Sequence, residues 1–287
     1  MVSAAADKAS VWRMFAVAIT SLSLLILWMA AVAAVLSIQS DFGFRIAWTR
    51  ILGADASRPE GAMVYLLIVG CLGLTTLVAV RIWHGLRTTA LTGPNAKTLR
   101  HFVVATAVAG IVAGVLAIGS SALANDFERN VDVGVWLFWL PFAVLALVAQ
   151  TGAEEVFFRG YLQTHLAARF KSTLIWLLVP AILFGFAHFS PNMPGRVAFA
   201  YFSFAALFGL LAGDLTARTG SIGAAWGFHF ANNSIAVLFF TIDGSITGLG
   251  LYKTSVGLND IGAIGPWIVI DLVAMVLIWW CIRRVLD

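Results

Sequence analysis

Residues 133–159 read VGVWLFWLPFAVLALVAQTGAEEVFFR, and this stretch decides the fold. Its first 21 residues, 133–153, carry no charge. That is enough to cross a bilayer, because a membrane helix needs about 20 mostly apolar residues. Two acids, Glu154 and Glu155, follow directly, and Arg159 comes four residues after Glu155. The stretch therefore predicts a membrane helix that leads into a group of charged side chains.

The rest of the chain shares this apolar character. Of its 287 residues, 61% are hydrophobic and 11% are charged, and the mean hydropathy is +0.93. Soluble domains carry about 25% charged residues, so the composition excludes a soluble globular protein and a disordered one. Two cysteines exclude a disulfide framework or a thiolate metal cluster. The net charge of +4 is interpreted as marking cytoplasmic loops, and no nucleic-acid partner is predicted.

Eight apolar stretches are predicted to span the membrane, and the fourth has the potential to continue as a helix toward Ala168. Alternating spans place 12 of the 18 Lys and Arg residues on the side of both termini, which are therefore predicted to be cytoplasmic. The predicted fold class is an all-α polytopic membrane helix bundle. The spans are 14–38, 61–80, 102–125, 133–153, 172–189, 197–213, 221–242 and 264–282.

Ionisable side chains at membrane depth are costly, so each one is a functional hypothesis. They are concentrated in the second half of the chain, where an acidic pair, two histidines and two amides interrupt apolar spans. Asp271 lies in the last span, and its partner stays open between His84, Arg81 and neither. The set is Glu154, Glu155, Arg159, His188, His229, Asn232, Asn233 and Asp271.

The acidic pair divides into two roles by helical geometry. Residues four apart lie on one face, and Glu followed by Arg at this spacing is the favourable order, so Glu155 is predicted to pair with Arg159. Glu154 points about 100° away and has no local partner on this argument, which leaves its carboxylate free for chemistry. The alternative is that both acids mark a helix end in the headgroup zone. His229 and Asn233, also four apart, are predicted to project from one face.

The sequence holds Glu154-Glu155-x-x-x-Arg159, then Phe184-x-x-x-His188, then His229-x-x-x-Asn233. These three motifs, in this order, resemble those of the CAAX protease and bacteriocin-processing (CPBP, Abi-type) family of intramembrane peptidases. This family includes the type II CAAX prenyl endopeptidases. The resemblance covers roughly residues 147–240, about a third of the chain. It divides the chain into three N-terminal spans in residues 1–130 and a peptidase core with a C-terminal helix in residues 131–287.

The resemblance also implies a role for each motif residue. Glu154 and His188 would activate a water molecule, and Glu155 with Arg159 would be structural. His229 and Asn233 would stabilise the oxyanion. These roles are chemically sound, since a carboxylate in a membrane cavity suits general-base work and fixed donors in a dry site stabilise developing charge.

The need for a metal stays open at this point. Glu154, His188 and His229 form a possible three-ligand zinc set with an open position for water. Against zinc, the HExxH helix that metal-dependent membrane proteases commonly use is absent from the sequence. A metal-free, glutamate-type mechanism without a cofactor is therefore favoured.

Two other classes of function compete with the peptidase. A proton- or ion-coupled transporter would use a midplane acid, two histidines and an amide as its path, although no internal repeat is visible. A catalytically idle, bacteriocin-immunity-like membrane protein would keep the fold without activity. For the peptidase, the predicted substrate is a membrane protein or lipidated peptide in the bilayer, and the predicted location is the prokaryotic plasma membrane.

Overall fold

The computed structural model describes residues 1–5, 9–39, 43–119, 127–189, 193–257 and 261–286. Most of these residues are helical. Two π-helical segments, Val156–Gln163 and Ile235–Phe239, follow α7 and α11 directly. The α-helices are α1 (Val2–Ala5), α2 (Val11–Gln39), α3 (Phe44–Leu52), α4 (Pro59–His84), α5 (Thr88–Thr92), α6 (Asn95–Gly119), α7 (Val133–Glu155), α8 (Thr164–Arg169), α9 (Thr173–Ala187), α10 (Gly195–Thr219), α11 (Gly223–Ser234) and α12 (Ile261–Leu286).

Five helical stretches are long and apolar enough to cross a membrane, and the protein is an integral membrane protein. Three further predicted spans coincide with α9, α11 and α12, of which α9 is a shorter apolar helix. A total of eight crossings and cytoplasmic termini remain predictions. Residues 120–125 of the third predicted span lie outside the described residues. The five stretches are Val11–Gln39, Pro59–His84, Asn95–Leu116, Val133–Arg169 and Gly195–Thr219.

A small sheet is added to the predicted all-α architecture. Its strands are β1 (Phe127–Arg129), β2 (Phe240–Asp243) and β3 (Tyr252–Gly257), in the order β1-β3-β2. β3 pairs antiparallel with β1 and parallel with β2. Strands of three to six residues are too short for a clear alternating pattern, which explains why the sequence did not predict them.

Small residues let the helices around the acidic pair approach closely, as is common in membrane bundles. A Cβ on Gly73 of α4 would lie 2.8 Å from the Cα of Ala153 in α7. A Cβ on Gly152 of α7 would lie 2.8 Å from the ring of Trp226 in α11. The Trp226 indole N–H donates to the Val148 carbonyl at 3.1 Å. These contacts fix the end of α7 against α4 and α11, where the predicted site residues lie.

Candidate active site

Glu155 and Arg159 form a fully buried ion pair. Arg159 Nη1 donates to Glu155 Oε1 at 3.0 Å, and the two side chains are 1% and 0% exposed. This is the pairing that their spacing predicts. The same Glu155 oxygen accepts a hydrogen bond from His229 Nδ1 at 2.8 Å. Glu155 therefore connects the end of α7 to α11, in addition to holding Arg159.

Arg159 lies in a π-helical turn and is enclosed by aromatic rings. Its guanidinium carbon lies 4.5 Å from the ring centre of Phe184 and 5.6 Å from that of Phe208. Arginine over a desolvated aromatic face gains a favourable cation–π contact. π-helical turns recur at functional sites because they change the direction of a side chain within a helix. Here the turn Val156–Gln163 directly follows the acidic pair.

Glu154 is not the carboxylate that pairs with Arg159, and it has neighbours that the sequence did not predict. Its Oε1 accepts a hydrogen bond from Gln150 Nε2 at 2.9 Å, and its Oε2 lies 3.5 Å from His229 Nε2. Oε2 has no hydrogen-bond partner among the described residues. The side chain is 11% exposed, whereas that of Glu155 is fully enclosed. The Glu154 carboxylate therefore has one oxygen held in place by Gln150 and one buried oxygen without a hydrogen bond among the described residues.

Gln150 extends the site toward Asn233. Its Oε1 accepts from Asn233 Nδ2 at 3.1 Å, so a continuous chain of contacts runs from Asn233 through Gln150 and Glu154 to His229. Gln150 was not predicted as a site residue. The available signal was its position four residues before Glu154 inside an apolar span, which places both side chains on one helical face.

His188 is held by Phe184 in this structure, and its pairing with Glu154 in water activation stays a prediction. Its Nδ1 donates to the carbonyl oxygen of Phe184 at 2.9 Å. Its ring packs on the Phe184 ring, with 4.5 Å between the two ring centres. The Phe184 ring also packs edge-on against the His229 ring, with 5.7 Å between the two ring centres. The physical reason for the hydrogen bond is that His188 is the C-cap of α9, where its ring reaches the carbonyl one turn back. A donating Nδ1 leaves Nε2 as the acceptor of the neutral ring.

The zinc alternative does not fit this arrangement. Among the described residues, no three His, Cys, Asp or Glu side chains are grouped so that they could hold a metal ion. Of the proposed ligands, Glu154 and His229 are neighbours, whereas His188 is not grouped with them among the described residues.

Asp271 does not pair with either residue considered from the sequence. His84 Nε2 is hydrogen-bonded to the Tyr161 hydroxyl at 3.1 Å, and Arg81 donates to the Gly85 carbonyl at 3.0 Å. These pairings place both groups with residues of α4 and the π-helical turn.

The predicted site residues do not line either of two cavities elsewhere in the bundle. One cavity, of about 280 Å³, lies at the end of α4 and is lined by residues between Leu77 and Leu91. A smaller one lies between the start of α7 and Leu249.

Comparison with known proteins identifies the region that holds this site. Residues 135–235 match the family model described as type II CAAX prenyl endopeptidase Rce1-like, which confirms the resemblance drawn from the three motifs. An uncharacterized protein of Bacillus subtilis (strain 168), YyaK, is 38% identical over 122 residues, which are 42% of this chain. The chain covers 40% of the length of that relative. No solved structure matches the chain.

Proposed function

We propose that the protein is an intramembrane endopeptidase that hydrolyses peptide bonds of membrane-associated substrates with Glu154 as general base. The Rce1-like match over residues 135–235 supports a CAAX-type intramembrane protease. The observation that carries the proposal is the Glu154 carboxylate, which is nearly enclosed and has one oxygen fixed by Gln150 and one oxygen without a hydrogen bond among the described residues.

Charge balance explains how such a group would handle a proton. Two carboxylates, Glu154 and Glu155, share this cluster with one guanidinium, that of Arg159, and burying an excess charge is costly. One proton on the neighbouring Glu154 and His229 side chains makes the set neutral. In this proposal that proton lies on His229 Nε2, 3.5 Å from Glu154 Oε2, so that Glu154 is left as the base. Glu155 holds His229 in the required orientation through Nδ1.

The reaction follows from this arrangement. Glu154 takes a proton from a water molecule, and the water oxygen attacks the carbonyl carbon of the scissile peptide bond. The carbonyl oxygen becomes an oxyanion, for which His229 and the second N–H of the Asn233 amide are the proposed donors. Cleavage of the C–N bond then transfers the proton to the departing amine. His188 Nε2 is the proposed second acceptor for the water.

A cleavage assay in proteoliposomes tests this function. The purified protein is incubated with a library of membrane proteins and farnesylated peptides, and new termini are identified by mass spectrometry. We expect cleavage by the natural protein and none by Glu154→Gln. No cleavage of any substrate by the natural protein, together with proton or cation flux into the vesicles, would favour the transporter instead.

A further inference from the structure

A cavity of about 280 Å³ lies at the end of α4, apart from the candidate active site. Its apolar wall is formed by Leu77, Val80, Leu86 and Leu91, of which Val80 and Leu91 are almost fully buried. Two arginines, Arg81 and Arg87, and the hydroxyl residue Thr88 complete the lining. The cavity therefore combines an apolar wall with a cationic edge.

Both arginines can still donate hydrogen bonds to an anionic ligand. Arg81 Nη1 donates one hydrogen bond to the carbonyl oxygen of Gly85. Arg87 makes no side-chain hydrogen bond or ion pair with any described residue, and no carboxylate in the described ranges pairs with Arg81. Guanidinium groups match the oxygens of phosphate in geometry and charge. The edge of the cavity is therefore complementary to a phosphate group.

The position of the cavity along α4 points to a ligand that comes from the membrane. It lies at the last turn of an apolar, membrane-length helix. Trp83 is two residues beyond Arg81, and its indole N–H donates to Thr20 Oγ1 at 3.0 Å. Trp12 packs edge-on against Trp83 at 5.8 Å. Paired tryptophans are typical of the headgroup level of a bilayer.

We infer that this cavity binds an anionic phospholipid. Its phosphate would bind Arg81 and Arg87, and the start of an acyl chain would pack on the apolar wall. Basic pockets between helices on the cytoplasmic side recognise such headgroups, and small-molecule pockets begin at about 300 Å³. The volume accordingly suits a headgroup and the first part of one chain. The wall residue Leu91 also contacts the π-helical turn, because a Cβ on Gly160 would lie 2.8 Å from the Leu91 oxygen. Bound lipid is therefore expected to stabilise the folded protein.

Lipid titration of the purified protein in neutral detergent tests this site without any assay of cleavage. Dioctanoyl phosphatidylglycerol, dioctanoyl phosphatidylcholine and glycerol phosphate are added separately, and tryptophan fluorescence and the melting midpoint are recorded. We expect phosphatidylglycerol to bind roughly 30-fold more tightly than phosphatidylcholine, since each arginine near an anionic lipid contributes about fivefold. It should also raise the melting midpoint.

Three variants make the result specific. Arg81→Gln/Arg87→Gln should lose the preference for phosphatidylglycerol, and Arg87→Gln alone should lose about fivefold. Arg87→Gln carries the test if the double variant does not fold. The matched control, Lys97→Gln/Arg100→Gln, removes two charges from the nearby start of α6 and should keep the preference. An unchanged preference in the cavity variants, an equal loss in the control, or equal binding of glycerol phosphate would overturn the inference.

Discussion

Replacing Glu155 by Gln removes the charge that compensates the buried Arg159. The pair is enclosed, with 1% and 0% side-chain exposure, and the same carboxylate oxygen also accepts from His229 Nδ1 at 2.8 Å. After the substitution the guanidinium stays buried among the rings of Phe184 and Phe208 without its ion-pair partner. Breaking a buried pair in this way costs roughly 3 to 5 kcal/mol, so Glu155→Gln should be strongly destabilised.

The control is a carboxylate of the same type at the surface. Glu60 lies 3.8 Å from Arg58, and both side chains are more than 60% exposed. Exposed pairs of this kind contribute between about 0 and 1 kcal/mol. Glu60→Gln should therefore unfold at nearly the same denaturant level as the natural protein.

A double variant separates the loss of compensation from the loss of contacts. Glu155→Leu/Arg159→Met removes both charges, so no uncompensated charge remains, although His229 Nδ1 then lacks its partner at a cost of about 1 to 3 kcal/mol. Unfolding in mixed detergent micelles with increasing sodium dodecyl sulfate, followed by tryptophan fluorescence, measures all variants. Glu155→Gln should be the least stable. A Glu155→Gln protein as stable as Glu60→Gln, or a double variant less stable than Glu155→Gln, would refute the reasoning.

Two further predictions concern packing and topology. Gly152→Ala places a methyl group 2.8 Å from the Trp226 ring and should destabilise the protein by roughly 1 to 3 kcal/mol. Gly110→Ala, whose methyl group would have nothing within 4 Å, should be neutral or stabilising in the same unfolding assay. Equal effects of the two substitutions would contradict the tight contact between α7 and α11. Single cysteines at the exposed positions Ser3 and Thr89 should be labelled from one side of the membrane and those at Ser57 and Ser255 from the other, and labelling of Ser57 and Thr89 from the same side would contradict eight alternating spans.

The sequence predicted the helices and the contacts within one helix well, for a physical reason. Apolar stretches of about 20 residues have few options other than a membrane helix, and the five helical stretches that are long and apolar enough to cross a membrane follow from this constraint. The Glu155–Arg159 pair depends only on spacing along one helix, so the i,i+4 rule was sufficient. Glu154 was likewise separated from that pair by its angle about the helix axis.

Contacts between helices could not be read in the same way. The partner of His188 depends on where α9 ends, and the proximity of His229 to both acids depends on the close approach of Gly152 to Trp226. The π-helical turn that carries Arg159 is a departure of the backbone from regular geometry, which periodicity does not reveal. The strands β1 and β3 pair residues more than 120 positions apart, which no local pattern indicates.

The assignment of Glu154 as the general base is tested most directly by comparing Glu154→Gln with the natural protein for both cleavage and stability. The amide keeps the shape of the side chain but cannot accept the proton of water, and Glu154 makes no ion pair as close as that of Glu155. In proteoliposomes, Glu154→Gln should lose all detectable cleavage. Its free energy of unfolding should fall by no more than about 1.5 kcal/mol, the net value of one hydrogen bond, because the amide oxygen can still accept from Gln150 Nε2. Retained cleavage by Glu154→Gln, or a loss of stability as large as that of Glu155→Gln, would contradict this assignment.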